Sequence, residues 1–131
     1  MRVQYDLDTN APSQRFIFDC CQGGRVYEAA ATNLLIQFLK PGDTFVDVGA
    51  HVGFFSMLAA ALVGSAGRVI AFEPNAENYA SLLRNVSLNG YANVVCVNSL
   101  VGDHDGEAVL FENLDNDGGH ALWDPGLHPF N

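Results

Sequence analysis

An apolar segment that runs directly into a glycine-rich turn constrains this chain more than any other feature of its sequence. Residues 44–48 are mostly apolar, and Gly49 and Gly53 follow them. A helical stretch comes next, and a second apolar segment, residues 68–72, ends at Glu73. This order predicts a strand, a turn, a helix and a parallel strand, which is a βαβ unit able to hold a nucleoside-containing ligand.

The rest of the chain extends this unit into a Rossmann-like α/β fold. Helices are predicted at residues 26–39, 51–63 and 76–88, and strands at 44–48, 68–72, 93–98 and 108–113. Residues 1–25 are predicted to be an irregular lead-in with a short strand at 15–19, and residues 114–131 an irregular tail. We expect one domain, residues 1–131, with an open, mainly parallel sheet and flanking helices, truncated after the third or fourth strand.

Composition and charge exclude several classes of partner. The net charge is −9, and residues 85–131 contain seven acids and no Lys or Arg. Nucleic-acid binding needs clustered positive charge, which residues 85–131 lack. Residues 1–6 lack the basic-then-apolar pattern of a signal peptide, and the longest apolar run, residues 52–63, is too short to span a bilayer. The three cysteines are interpreted as reduced structural thiols. We therefore expect a cytoplasmic protein that binds neither nucleic acid nor membrane.

The spacing of the glycines indicates which ligand the turn suits. A dinucleotide-binding turn has the pattern G-x-G-x-x-G, because its backbone must approach a pyrophosphate. Here only Gly49 and Gly53 are present, four positions apart, and Asp47 lies two residues before them. This pattern resembles the first motif of class I methyltransferases, which bind S-adenosylmethionine (SAM). An acid near the turn suits the ammonium group of that cofactor, and the amides at the helix start suit its carboxylate.

Glu73 meets a second requirement of a nucleoside site. An acid at the end of the second strand, more than twenty residues after the turn, can accept both hydroxyls of a ribose. Pro74 and Asn75 are predicted to flank the adenine on one side, and Ser99 and Leu100 at the tip of the third strand on the other. Each feature alone is common, but the three in register along one βαβαβ unit predict a nucleoside site.

Longer segments of the sequence resemble the FkbM-type methyltransferases. The resemblance is carried by residues 40–55 (KPGDTFVDVGAHVGFF), 67–75 (GRVIAFEPN), 84–90 and 118–122 (GGHAL). It implies a Rossmann-like fold, SAM as methyl donor, and O-methylation of a small molecule, a sugar or a glycan-like product. It also implies that Tyr27-Glu28 lies near the methionine end of the cofactor and that His120 lines the acceptor pocket.

The predicted cofactor-binding residues lie in the turn, at two strand ends and in the helix before the first strand. They are Glu28, Asp47, Gly49, Ala50, His51, Gly53, Glu73, Pro74, Asn75, Ser99 and Leu100. For His51, hydrogen bonding within the loop is favoured over contact with the amino-acid end of the cofactor. No catalytic residue and no metal ligand is assigned. Residues 113–124 partly match a calcium loop, but a glycine-rich connecting turn is the favoured interpretation.

The chain departs from the family after Leu122. Family members continue into a strand with an Ile-Asp-Val-Glu-Gly-like motif and further strands, which this sequence does not contain. Residues 44–48 are therefore predicted to form an edge strand, which invites pairing with another chain. We expect a truncated, cofactor-binding half of a methyltransferase for a small-molecule acceptor, associated with itself through this edge. The alternatives are a non-catalytic module that binds SAM or S-adenosylhomocysteine, and an NAD-binding domain, which the missing third glycine disfavours.

Overall fold

The computed structural model describes residues 1–113 and 115–122 of the 131-residue chain. Four helices and three strands make up this part of the molecule. In chain order they are α1 (Pro12–Gln22), α2 (Ala29–Phe38), β1 (Thr44–Val48), α3 (Phe54–Val63), β2 (Arg68–Phe72), α4 (Ala76–Asn89) and β3 (Val94–Val97). The strands are parallel and lie in the order β1-β2-β3, so β2 is central and β1 is an edge.

The core lies between one face of the sheet and helices α3 and α4. Val69 and Ala71 of β2 point to this face and have no exposed surface. Val69 packs in a cluster with Val63 of α3, and Ala71 in a second cluster with Met57 of α3 and Leu82 of α4. Such burial is the main force that holds the layers together. It fixes the carboxyl ends of β1 and β2 beside each other, where α3 and α4 begin.

The predicted fold class is confirmed. Strands β1 and β2 have the predicted bounds, and β3 lies inside the predicted segment 93–98. Each parallel pair is joined through a helix, as the alternation of strand and helix patterns indicated. The edge position predicted for β1 is also observed among the described strands.

Helix α4 begins and ends where its sequence signals indicated. The Asn75 side chain accepts hydrogen bonds from the backbone N–H groups of Glu77 and Asn78, both at 3.0 Å. An Asn before the first helical residue typically caps a helix in this way. At the other end, Gly90 takes the left-handed conformation that terminates many helices.

The N-terminal part of the chain differs from the prediction of an irregular lead-in over residues 1–25 with a short strand at 15–19. Residues 12–22 instead form helix α1. Pro12 is the first residue of this helix. Its fixed φ suits a helix, and its missing N–H costs nothing there because the first N–H groups of a helix have no partner within the helix. The side chains that α1 buries are Gln14, Ile17 and Cys20. Because Gln14 is polar, the spacing of the apolar residues alone does not reveal the helical period.

Helices α2 and α3 are shorter than predicted. The helix predicted from residue 26 begins at Ala29, because Glu28 before it has a left-handed φ of 42°. The helix predicted from residue 51 begins at Phe54, because the glycine turn continues to Gly53. None of the helices within residues 1–113 and 115–122 combines the length and the apolar character that a membrane span requires.

The prediction of a fourth strand at residues 108–113 is wrong. This segment makes one antiparallel bridge, from Phe111 to Ala121, with hydrogen bonds of 2.8 and 3.1 Å. Val109 is 69% exposed, so the apolar pattern that indicated a strand faces no core. Most of the predicted irregular tail, residue 114 and residues 123–131, lies outside the described residues. The interpretation of the whole chain as one domain stays a prediction.

The outer face of the sheet carries two rows of apolar side chains. Side chains alternate along a strand, so the neighbours of the core-facing residues point away from α3 and α4. Register aligns these outward-facing residues across the three strands. The rows are Val46, Ile70 and Val95, and Val48, Phe72 and Val97. The side chains of Val46 and Val48 are 52% and 60% exposed. Among the described residues, no strand pairs with the outer edge of β1.

Candidate functional site

The turn between β1 and α3 lies at the carboxyl edge of the sheet and is tied to the end of β2. The backbone N–H groups of Gly49 and Ala50 both donate to the carbonyl oxygen of Phe72, at 2.9 Å. Three residues of the turn have positive φ: Gly49 at 77°, His51 at 53° and Gly53 at 87°. Left-handed backbone is unusual for a residue with a side chain and is often found at functional sites. His51 is therefore held in place by its surroundings.

Glu73, directly after β2, supplies part of that restraint. Its carboxylate is buried, with 4% of the residue exposed. One oxygen accepts the backbone N–H of His51 at 2.7 Å, and the other accepts that of Asn75 at 2.9 Å. The Asn98 side chain donates to the Glu73 carbonyl at 2.8 Å. A carboxylate has about four acceptor positions, so Glu73 can still accept hydrogen bonds from a ligand.

Two cavities flank this turn. The Glu73 cavity has a volume of about 210 Å³. Among the residues that line it are Glu73, Pro74, Ser99, Leu100, Val101 and Leu110. The Asp47 cavity has a volume of about 340 Å³. Among the residues that line it are Tyr27, Glu28, Asp47, Ala50, Phe54 and Phe55. Val48, Gly49, His51 and Gly118 line both cavities. The two cavities are therefore adjacent, and the turn lies between them.

Asp47 lies on β1, with its side chain on the same sheet face as α3. The hydroxyl of Ser56, which is fully buried in α3, donates to its carboxylate at 2.6 Å. Burial raises the pKa of Asp47 above its usual range, although the hydrogen bond from Ser56 opposes this, and the charge of Glu73 adds to it. A positively charged group in the cavity would relieve this destabilisation of the carboxylate.

Aromatic side chains form one wall of the Asp47 cavity. The ring centroids of Tyr27 and Phe54 are 4.7 Å apart, and those of Phe54 and Phe55 are 5.3 Å apart, both in edge-to-face arrangements. Burial, with the neighbouring charge of Glu28, raises the pKa of Tyr27 to about 12. The phenol therefore keeps its proton at neutral pH and can act as a hydrogen-bond donor.

A polar network joins the turn to α1 and to the segment 115–119. Nε2 of His51 lies 2.8 Å from the Asp117 carboxylate and 3.2 Å from the hydroxyl of Ser13. The Asp117 carboxylate also accepts the backbone N–H of Ser13 at 2.9 Å. Burial works to raise the pKa of Asp117, but hydrogen bonds from Ser13 and His51 outweigh it and lower the pKa to about 2. The carboxylate is ionised at neutral pH, so Nε2 of His51 carries the proton and donates it.

Nine of the eleven predicted residues line one or both cavities. The two that do not are Gly53, which packs against Leu82, and Asn75, which caps α4. Sequence reasoning missed Ser13, because α1 was not predicted, and Asp117, whose loop gave only a weak match to a calcium site. The hydrogen bonds of His51 reach outside the loop instead of staying within it, because its backbone N–H donates to Glu73 and its Nε2 contacts Asp117 and Ser13.

The charges of the two cavities are all of one sign. The acidic side chains that line them come from Glu28, Asp47, Glu73 and Asp117. Among the described residues that line them there is no Lys or Arg. Such a site favours a ligand with positive charge and hydroxyl groups, and disfavours a phosphate.

Comparison with known proteins identifies relatives. The family model for the methyltransferase FkbM domain matches residues 47–126. Protein-L-isoaspartate O-methyltransferase 1 of Arabidopsis thaliana is 35% identical over 86 residues, which are 66% of this chain and 32% of the relative. The chain thus spans about a third of that relative's length. A SAM-dependent O-methyltransferase structure from Thermotoga maritima superposes with a TM-score of 0.53 at 25% identity, covering 63% of this chain and 33% of that one.

Proposed function

Because the chain belongs to the FkbM methyltransferase domain family, we propose that it binds SAM at the carboxyl edge of its sheet and serves O-methylation. The observation that carries the proposal is the buried carboxylate of Glu73 beside the glycine turn, in the wall of a cavity. A ribose presents two neighbouring hydroxyls, and a carboxylate with spare acceptor positions suits both. The structural relative from T. maritima is a SAM-dependent O-methyltransferase, which supports the same cofactor.

The two cavities divide the parts of this cofactor between them. The Glu73 cavity, with Pro74 on one side and Leu100 on another, would hold the adenine and the ribose. The Asp47 cavity would hold the methionine end, whose ammonium group suits the carboxylates of Asp47 and Glu28. Gly49 supports this fit, because a Cβ atom built there meets no atom within 4 Å. The turn thus leaves room for a ligand to pass from one cavity to the other.

Charge also favours SAM over NAD. A dinucleotide carries a pyrophosphate, and burying it next to four carboxylates without a compensating cation would be costly. SAM carries a sulfonium and an ammonium group against one carboxylate. Its positive end would lower the cost of keeping Asp47 ionised in its buried position.

The acceptor is proposed to be a hydroxyl compound of small size, such as a sugar. When bound, SAM supplies an electrophilic methyl group. The chain's own contribution is to position that cofactor, since methyl transfer depends largely on alignment with the acceptor oxygen. The aromatic wall formed by Tyr27, Phe54 and Phe55 offers an apolar surface for an acceptor beside the methionine end. Release of labelled methyl groups to a panel of sugars distinguishes an active enzyme from a module that only binds SAM.

The cofactor assignment predicts a selective thermal shift. S-adenosylhomocysteine at about 100 times its Kd should stabilise the fold by about 2.7 kcal/mol. For a chain of this size that corresponds to a rise in Tm of roughly 10 °C, measured by differential scanning fluorimetry. SAM should act in the same way and NAD should not. A shift with NAD alone would contradict the proposal.

The partner proposed for this chain is a second copy of itself, bound through the edge of β1. A two-fold axis beside β1 would pair two copies of this strand antiparallel and join their outer apolar rows into one continuous surface. The exposure of Val46 and Val48 supports a second copy as the occupant, and so does the edge of β1, with which no strand of residues 1–113 and 115–122 pairs.

Replacing Val46 with lysine should therefore disrupt the dimer, because a charge on an edge strand opposes pairing. In light scattering coupled to gel filtration, the wild type should have about twice the 14.1 kDa chain mass and Val46→Lys the mass of one chain. Val109→Lys is a matched control, since Val109 is equally apolar and 69% exposed but lies outside the sheet. A monomeric wild type, or dissociation by the control as well, would refute self-association through β1.

A further inference from the structure

The network of Ser13, His51 and Asp117 lies at the boundary between the two cavities. His51 lines both of them, and so does Gly118, the residue after Asp117. The contact of 2.8 Å between His51 and Asp117 brings the segment 115–119 against the glycine turn. The same carboxylate receives the backbone N–H of Ser13, near the start of α1. The side chain of Asp117 thus connects segment 115–119, the glycine turn and α1 around the candidate site.

An adenosyl ligand would have to cross this boundary. If the ribose lies at Glu73 and the methionine end at Asp47, the ligand passes the point where Gly118 and His51 line both cavities. We infer that Ser13, His51 and Asp117 form a clasp that holds segment 115–119 closed over the candidate site, against α1 and the glycine turn, and that this clasp opens when the ligand enters or leaves. The inference rests on the proposed function.

The way in which segment 115–119 is held agrees with such a movement. None of its residues is buried, and it contributes no apolar side chain to either hydrophobic cluster. Its attachments to the rest of the chain are polar. Asp117 receives hydrogen bonds at its carboxylate from Ser13, Gln14 and His51, and at its carbonyl oxygen from the Asn78 side chain at 2.8 Å. Polar contacts without buried apolar area are typical of segments that open locally while the fold stays intact.

The charge state of the clasp favours the closed arrangement in the absence of ligand. With its pKa near 2, Asp117 keeps a full negative charge at neutral pH. A charge-assisted hydrogen bond to the ring of His51 is stronger than one between neutral groups. His51 also donates its backbone N–H to Glu73, so opening the clasp leaves the turn attached to β2. The moving part is therefore the segment 115–119, and the turn stays in place.

The test compares Asp117→Ala with Asp115→Ala. Both remove a carboxylate from the same segment, but Asp115 is exposed and its side chain makes no contact with His51 or Ser13. In the ligand-free protein, Asp117→Ala should raise the hydrogen-exchange rate of the amides in 117–119 and of Ser13 roughly tenfold. In stopped-flow measurements, the association rate constant of S-adenosylhomocysteine should rise at least about threefold. Asp115→Ala should change neither rate.

Ser13→Ala keeps the test decisive if Asp117→Ala does not fold. It removes only the hydroxyl next to His51 and should raise both rates in the same direction by a smaller factor. Unchanged exchange, or a faster dissociation with unchanged association, would overturn the clasp. If the wild type and all variants fail to bind S-adenosylhomocysteine, the proposed function fails, and the exchange rates alone still decide whether the clasp holds the segment closed.

Discussion

Glu73→Ala is expected to abolish measurable binding of S-adenosylhomocysteine and to destabilise the fold. The carboxylate accepts the backbone N–H groups of His51 and Asn75 in a buried position. Alanine leaves both donors without an acceptor, at a cost of about 1–3 kcal/mol each. The hydrogen bonds proposed to the ribose would be lost as well, at about 1.5–3 kcal/mol for each bond to a charged group. Affinity should therefore fall by roughly a hundredfold or more, measured by isothermal titration calorimetry.

Two further variants separate the contributions of Glu73. Glu73→Gln keeps the shape but replaces one acceptor oxygen with a donor, so one of the two buried N–H groups meets an NH₂ group. It should weaken both stability and binding, by less than alanine does. Glu77→Ala removes an exposed acid four residues away that lines neither the Glu73 nor the Asp47 cavity, and should leave binding unchanged. If Glu73→Ala unfolds in urea like the wild type and still binds the ligand, Glu73 is not the ribose acceptor.

The parts of this site that the sequence predicts are those fixed by local rules. A buried parallel strand, a positive-φ glycine and a cap are each encoded within a few residues, and β1, β2 and both ends of α4 lie as predicted. The position of Glu73 beside the glycine turn could be predicted for the same reason, since the end of a strand fixes where its next side chain lies. Local signals are thus sufficient for the half of the site that the βαβ unit builds.

The parts that could not be predicted depend on contacts between distant segments. Ser13 and His51 are 38 positions apart, and His51 and Asp117 are 66 apart. Nothing local to Asp117 indicates that it receives the start of α1, because the pattern around it matches an ordinary glycine-rich turn. Residues 108–113 show the opposite case, in which local sequence predicts an element that does not form. Their apolar run is typical of a strand, yet a strand forms only where a partner lies alongside.

Gly53→Ala is expected to destabilise the fold more than any other single methyl added to the turn. Gly53 has a φ of 87°, which costs a residue with a side chain about 1–2 kcal/mol. A Cβ atom at this position would also lie 2.5 Å from Cδ1 of Leu82, whose side chain is fully buried in α4. Forcing an extra methyl into a packed core costs about 1–3 kcal/mol more. The free energy of unfolding should therefore fall by about 2–5 kcal/mol, measured by urea denaturation.

Gly49→Ala separates the cost of the left-handed backbone from the cost of the clash with Leu82. Its φ of 77° imposes a similar backbone cost, but a Cβ atom there meets nothing within 4 Å. Its stability loss should therefore stop at about 1–2 kcal/mol. Since Gly49 lines both cavities, Gly49→Ala should instead weaken S-adenosylhomocysteine binding. Leu82→Ala added to Gly53→Ala completes a double-mutant cycle, in which a favourable coupling of about 1–3 kcal/mol identifies the clash. Equal stability losses for the two glycine variants, with no coupling to Leu82, would mean that Gly53 is required for its backbone conformation alone.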